Sequence, residues 1–312
     1  MKLLLPDSID LDLRLPGDVR VVRYPTAQPV PEADVDAEAL VVWGNEAAQV
    51  RDAARRLTRL RWVQTLAAGP DVVLEAGFAP DVVLTGGRGL HDRTVAEHTL
   101  ALILAAARRV HLLARAQIGH RWADEWGGVQ PVREADSFRT LRDARVVIWG
   151  FGGIAATLAP LLAALGAEVT GVARTAGRRH GFDVVAAADL PGLLPRADVL
   201  IMILPAAPDT ARALDAGLLG LLPAHAWLVN VGRGSTVDAD AVLAAIRAGR
   251  LGGAALDVFD AEPLPPESGL WDEPNVIISP HAAGGRPVGA AQRVADNLAA
   301  LRAGDPMHDL VR

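Results

Sequence analysis

Six short aliphatic runs, separated by segments of helical length, dominate the chain from residue 145 onward. They are RVVIWG (145–150), EVTGVA (168–173), DVLIMIL (198–204), AWLVNVG (226–232), GAALDVF (253–259) and NVIIS (275–279). A strand buried on both faces reads as a continuous aliphatic run, because neither side meets water. Successive buried strands joined by helical crossovers run parallel. The pattern therefore predicts an α/β architecture built on a doubly wound parallel sheet. The first part of the chain repeats it more weakly: VRVVRY (19–24), ALVVWG (39–44), WVQTLA (62–67) and DVVLTG (81–86) alternate with AAQVRDAARRLTRL (47–60). PDVVL occurs at 70–74 and again at 80–84. We read the second copy as a strand and the first as a short helix or turn.

A length of 312 residues accommodates two domains of ordinary size. The net charge of −6 argues against nucleic acid as the main partner, since phosphate recognition needs a basic face. An anionic substrate must then be drawn in by a local arginine cluster. The chain has no cysteine, which removes disulfides, thiolate chemistry and a zinc ribbon; no metal is expected. The N-terminal run LLL stops at Pro6. No stretch approaches the ~18 apolar residues of a membrane helix, so a soluble cytoplasmic protein is expected. Lys2 is the sole lysine, Tyr24 the sole tyrosine, and none of the five serines lies in a G-x-S-x-G setting. P-loop, Schiff-base and serine-hydrolase chemistries are thereby excluded.

The segment from Val95 to about Ala114 is nearly apolar all round, which predicts a helix buried between domains or in a subunit interface. Thr94 and Glu97 have the spacing of a capping box at its start. Residues 116–140 carry Trp122, Trp126, three glycines and Pro131, and read as an irregular arm that wraps a partner subunit.

The run VVIWGFGGIAATLAPLLAALG is a strand, a turn and a helix. Gly150-x-Gly152-x-x-Ala155 fits the dinucleotide fingerprint: Gly150 for the tight turn, Gly152 for close approach of a pyrophosphate, Ala155 for helix-to-strand packing. The amides of Gly153 and Ile154 would face the phosphates. The competing reading is a glycine turn that only packs a helix. Pro160 falls inside the predicted helix, where it should remove a hydrogen bond and kink the chain. A strand ending some 20 residues beyond the glycines normally closes with an acid that binds the ribose of NAD. Here that position holds Ala173, followed by Arg174, Arg178 and Arg179. A missing acid and three added fork-shaped donors favour NADP, with NAD possible. The alternative is an exposed arginine-rich loop in a chain that uses arginine for nearly all its positive charge.

Three further fragments follow predicted strands: VNVGRGSTVD (229–238), LDVFDAEPLP (256–265) and SPHAAGG (279–285). Ligands of open α/β sheets bind beyond the carboxyl ends of strands, so Arg233, Glu262 and His281 are candidates to converge on one cleft. The trio suits hydride transfer to a 2-oxo acid. A histidine supplies the proton that the nascent alkoxide needs. A carboxylate beside it stabilises the imidazolium and fixes its orientation. An arginine grips the substrate carboxylate and polarises the carbonyl. Singly, each residue has a duller explanation: a core histidine, a surface glutamate, a turn-capping arginine.

The segments LVNVGRGSTVD, GAALDVFDAEPLP and LWDEPNVIISPHAAG, with the glycine loop, resemble the D-isomer-specific 2-hydroxyacid dehydrogenase family. VQTLAAGPDVVL, TVAEHTLALILAAARR and the tail NLAALRAGDPMHDLVR are also similar to family segments. The resemblance implies two doubly wound parallel-sheet domains: a Rossmann cofactor domain (95–285) inserted into a smaller, flavodoxin-like substrate domain (1–94 and 286–312). It implies a homodimer acting on a small 2-oxo or 2-hydroxy acid. It makes Arg233 the group that binds carboxylate and carbonyl, His281 the acid/base, Glu262 its partner, and Asp257 the residue facing the nicotinamide amide. Pro205, Thr210 and Val231 would line the cofactor cleft, and Ala68 and Gly69 would offer amides to the substrate carboxylate. Formate dehydrogenases of the superfamily carry glutamine where Glu262 stands, so the acid favours hydroxyacid chemistry. Glyoxylate or hydroxypyruvate reductase is the leading specific reading. A cofactor-sensing corepressor on the same fold is the alternative from another class. Trp43, Arg88 and Leu90 either shape the substrate pocket or are structural.

Overall fold

The computed structural model describes residues 1–129 and 137–312. The chain divides into two compact units, Met1–His91 with Arg286–Arg312, and Asp92–Gly285. The first unit holds a parallel sheet of β1 (Lys2–Pro6), β2 (Arg20–Tyr24), β3 (Ala39–Val42), β4 (Trp62–Thr65) and β5 (Val83–Thr85), in the order β2-β1-β3-β4-β5. This is the flavodoxin-like order. Helices α1 (Ala47–Arg56) and α2 (Asp71–Leu74) and the C-terminal helix Ala290–Ala303 accompany it. The first PDVVL thus falls on α2 and the second leads into β5. The run LLL, which carried no strand expectation, supplies the buried β1. Leu4 packs with Tyr24, Leu40 and Val63, whereas Leu3 and Leu5 pack with Trp62 and with Val294 and Leu298 of the C-terminal helix.

The second unit begins with α3 (Asp92–Ala107) and α4 (Val110–Ile118). Its sheet comprises β6 (Arg145–Trp149), β7 (Glu168–Ala173), β8 (Gly177–Arg179), β9 (Phe182–Ala186), β10 (Val199–Met202), β11 (Trp227–Asn230), β12 (Gly253–Leu256) and β13 (Val276–Ile278). The order is β13-β12-β11-β10-β6-β7-β9-β8, and every pairing is parallel except β8 with β9. Helices α5 (Gly153–Ala164), α6 (Leu190–Leu193), α7 (Ala216–Leu219) and α8 (Ala239–Arg247) form the connections. Alternate residues of each strand feed opposite faces. Ile148, Ile201 and Val229 meet α3 and α5, while Trp149, Met202 and Leu228 meet Val242 and Ile246 of α8. Strand order reverses between β6 and β10, which opens a crevice at their carboxyl ends, the usual ligand position in such sheets.

Three local expectations are corrected. The capping box at Thr94 and Glu97 does not form: α3 already starts at Asp92, and Glu97 instead accepts from Arg93 Nε at 2.9 Å. The apolar segment is not one helix, because Arg109 turns left-handed at φ 55° and separates α3 from α4. Helix α3 buries Val95, Leu102 and Ile103, but α4 leaves Val110, Leu113 and Ile118 exposed. The arginine-rich loop that follows Ala173 is in fact part of a hairpin through β8. Of the predicted arm, Trp122 is exposed and Trp126 lies under the Arg109 guanidinium, 3.9 Å from the ring centroid; Pro131 lies outside the described residues.

Helix α5 runs on through Pro160. Pro160 sits on its exposed face, so water can reach the Ala156 carbonyl that the missing amide leaves unserved. Proline costs about 3 kcal/mol against alanine inside a helix, and stiffening of the unfolded chain returns up to about 1 kcal/mol. Pro160→Ala is therefore expected to stabilise the protein by about 2 kcal/mol, read as a rise of several degrees in thermal unfolding.

Candidate active site

The turn from β6 into α5 is built around three bare backbone positions. Gly150 has φ +104°, and a Cβ there would lie 2.4 Å from the Ile203 carbonyl oxygen. At Gly153 a side chain would collide with the Asp92 carboxylate, 2.0 Å from the Cβ position. Gly152 is different: its missing side chain leaves open space, and it stands at the N-cap of α5, where no side chain caps the helix. Ala155 is fully buried between helix and sheet. An open glycine at an uncapped helix N-terminus, with Ile154 in the first turn, fits a pyrophosphate.

Strand β7 ends at a half-buried Ala173. The chain then turns through β8 into β9, with His180 and Gly181 both left-handed at the hairpin turn (φ 51° and 87°), the geometry that two-residue hairpins favour. Two of the three arginines serve the hairpin itself. Arg178 Nη2 donates to the Gly181 carbonyl at 3.0 Å, and Arg179 Nη2 donates to the Thr175 carbonyl and hydroxyl at 2.9 and 2.8 Å. Arg174, the first residue past the strand, is exposed and has no partner among the described residues. Across the crevice, Thr210 Oγ1 donates to the Pro205 carbonyl at 2.6 Å and accepts from Ala207 N at 2.9 Å, which closes the loop after β10. Val231 is buried directly after β11.

The candidate catalytic residues follow three adjacent strands, β11, β12 and β13. The Arg233 carbonyl accepts from Asn230 Nδ2 at 3.1 Å and Thr236 Oγ1 at 2.6 Å, and Arg233 Nη1 donates to the Gly232 carbonyl at 2.9 Å. Gly234 lets this loop press on the next one, since a Cβ there would lie 1.9 Å from the Phe259 carbonyl carbon. Glu262 is held at one oxygen by Phe259 N at 2.9 Å, and its other oxygen meets His281 Nδ1 at 2.7 Å. With the carboxylate ionised, Nδ1 carries the proton and Nε2 is left as the working nitrogen. No described residue hydrogen-bonds Nε2.

Asp257 lies deeper. It is 1% exposed, and its carboxylate accepts from Ser279 Oγ at 2.5 Å, Ala282 N at 2.8 Å and Ala283 N at 3.1 Å. His98 Nε2 on α3 lies 3.0 Å from Ser279 Oγ and 3.4 Å from Asp257 Oδ1. Sequence reasoning passed over both His98 and Ser279. The available signal was a histidine one turn from the buried Val95, just ahead of the apolar run LALILAAA of the same helix.

In the first unit, Ala68 and Gly69 follow β4, and their amides have no partner among the described residues. The preceding turn is fixed: Gly87 N donates to the Ala67 carbonyl at 2.9 Å, and His91 Nε2 lies 2.8 Å from the Leu66 carbonyl. A Cβ at Gly87 would lie 2.1 Å from that carbonyl oxygen, so only glycine fits. Trp43 stacks on His91 at 5.3 Å. Arg88 is paired through its amide with Asp309 at 2.8 Å, and Leu90 is a core residue.

Residues 100–283 match the family described as D-isomer specific 2-hydroxyacid dehydrogenase, NAD binding domain. A glyoxylate reductase of Aeropyrum pernix is 34% identical over 268 residues, covering 83% of this chain and 78% of that protein. A crystal structure of a D-isomer specific 2-hydroxyacid dehydrogenase family protein from Aeromonas salmonicida superposes with a TM-score of 0.83 at 30% identity, covering 100% of this chain and 98% of that one. An NADPH-dependent glyoxylate/hydroxypyruvate reductase of Sinorhizobium meliloti, solved with NADP and sulfate, gives 0.80 at 29% identity over 99% and 97%. Among the described residues no helix is long and apolar enough to cross a membrane.

Proposed function

Because the chain belongs to the D-isomer specific 2-hydroxyacid dehydrogenase family, we propose that it reduces a small 2-oxo acid of the glyoxylate or hydroxypyruvate kind to the D-2-hydroxy acid, with NADPH as preferred cofactor. The observation that carries this reading is the His281–Glu262 pair at 2.7 Å, whose members follow β13 and β12 beside the strand that precedes Arg233. When bound, the reduced nicotinamide supplies the hydride. His281 Nε2 gives a proton to the carbonyl oxygen, and Glu262 stabilises the imidazolium beforehand and returns the ring to its place afterwards. Arg233 pairs with the substrate carboxylate and draws charge onto the carbonyl oxygen. Asp257 is kept for the nicotinamide end of the cleft and Pro205, Thr210 and Val231 for its walls. The unit Asp92–Gly285 is assigned the cofactor, and the unit with Ala68 and Gly69 is assigned amides for the substrate carboxylate.

The NADP preference is supported by Ala173, which cannot bind or repel at the ribose, and by Arg174. Arg178 and Arg179 are assigned to shaping the hairpin that presents Arg174. The solved relative from Sinorhizobium meliloti holds NADP. Arg174→Ala should raise KM for NADPH by about 10- to 100-fold, the loss of a charge-assisted hydrogen bond, and leave NADH unchanged. The assay is initial rates with both cofactors against glyoxylate, hydroxypyruvate, pyruvate, 2-oxoisocaproate and phenylpyruvate. Equal losses with both cofactors would make Arg174 structural, and turnover with NADH alone would refute the preference. We also assign a cytoplasmic homodimer; the exposed Val110, Leu113, Ile118 and Trp122 support the second copy.

A further inference from the structure

We propose that His98 and Ser279 are positioning residues which, through Asp257, hold the loop that carries His281. The inference rests on the dehydrogenase reading only for the role of His281; the clamp itself is geometric. His281 has φ 52°, a left-handed conformation that a non-glycine residue keeps only where its surroundings hold it. What holds it is Asp257. The Asp257 carbonyl accepts the His281 amide at 2.8 Å. Its carboxylate takes Ser279 Oγ on the near side of His281 and the amides of Ala282 and Ala283 on the far side. One buried acid therefore grips both flanks of the catalytic histidine.

A carboxylate so deeply buried is tolerable only when its lone pairs are served. Ser279 has one hydroxyl proton, and it goes to Asp257. The hydroxyl oxygen can then only accept, and His98 Nε2 at 3.0 Å is the donor that faces it. The order Nε2–H to Oγ–H to Oδ1 is thus fixed by valence. It ties helix α3, which packs across the sheet face, to a loop beyond β13. Neither His98 nor Ser279 is placed against the reacting atoms; both act through Asp257.

The test uses the whole 312-residue chain and three readouts. In Ser279→Ala and His98→Ala, kcat should fall about 10- to 100-fold, the scale on which a misplaced catalytic group costs rate, with NADPH affinity by fluorescence titration within threefold. Ser279→Thr and His98→Gln keep the donors and should restore kcat to within threefold. The double alanine variant should be no worse than the weaker single one, because both residues act in one chain. Independently of turnover, amide hydrogen exchange across residues 279–285 should accelerate in the alanine variants and not in the conservative ones. Unchanged exchange, failure of Thr and Gln to rescue, multiplicative losses, or a loss of NADPH affinity matching the loss in kcat would each overturn the proposal. Accelerated exchange in a protein whose wild type turns over none of the 2-oxo acids would sustain the clamp and refute the dehydrogenase reading instead.

Discussion

Replacement of His281 by alanine is expected to lower kcat by about 10²- to 10⁴-fold, the range that a positioned general acid contributes. NADPH affinity should stay within a few-fold, because the glycine turn and Arg174 lie on the opposite side of the sheet's switch point. The fold should survive. Glu262 is about one-third exposed on its side chain and keeps the Phe259 amide, so water can replace the lost imidazole without stranding a buried charge. Glu262→Gln should cost less, since an amide still orients Nδ1 but no longer stabilises the imidazolium. The measurement is steady-state kinetics in both directions with a parallel fluorescence titration of cofactor. Retained turnover in the alanine variant would remove His281 from proton transfer, and loss of cofactor affinity in step with kcat would recast it as a binding residue.

What was legible in the sequence and what was not follow from the same physics. Strands such as β10 could be read because both faces are buried and the residues, VLIM, are apolar throughout; β7, with its exposed Glu168 and its Thr170, could be read because it falls in the same strand–helix alternation. The glycine turn could be read because its spacing is set by the backbone: a Cβ at Gly150 would lie 2.4 Å from the Ile203 carbonyl oxygen, and Gly152 stands open at the helix N-terminus. Strand β8 could not. It is an exposed edge whose sequence, GRR, has no hydrophobic signal and whose pairing depends on the turn at His180 and Gly181. Strand β1 was hidden because the segment linking it to β2 forms no helix, so the strand–helix alternation does not mark it. The capping box failed because Arg93, one residue before Thr94, offers Glu97 a better partner on the same helix face. For the candidate site, residues placed right after strands were found, since strand ends can be located from sequence. His98 was missed because its partners lie 159 and 181 residues away, in loops whose approach only the fold reveals.

Arg233 separates two ways of handling a carboxylate. A lysine at this position would keep the charge and lose the planar fork, so Arg233→Lys distinguishes geometry from charge. If Arg233 both grips the carboxylate and polarises the carbonyl, Arg233→Lys should lower kcat/KM by about 10²- to 10³-fold, most of it in kcat, because the second task is realised only as the alkoxide forms. Arg233→Gln should lose further in KM, since the charge that draws the acid in is then gone. The loop itself should hold in both variants. Its bonds from Asn230 and Thr236 fall on the Arg233 backbone carbonyl and its seat against Phe259 depends on Gly234, while the guanidinium adds the bond to the Gly232 carbonyl that the variants give up. A lysine variant with native kcat and raised KM would assign Arg233 to binding alone, and the polarising donor would then have to be sought elsewhere in the cleft.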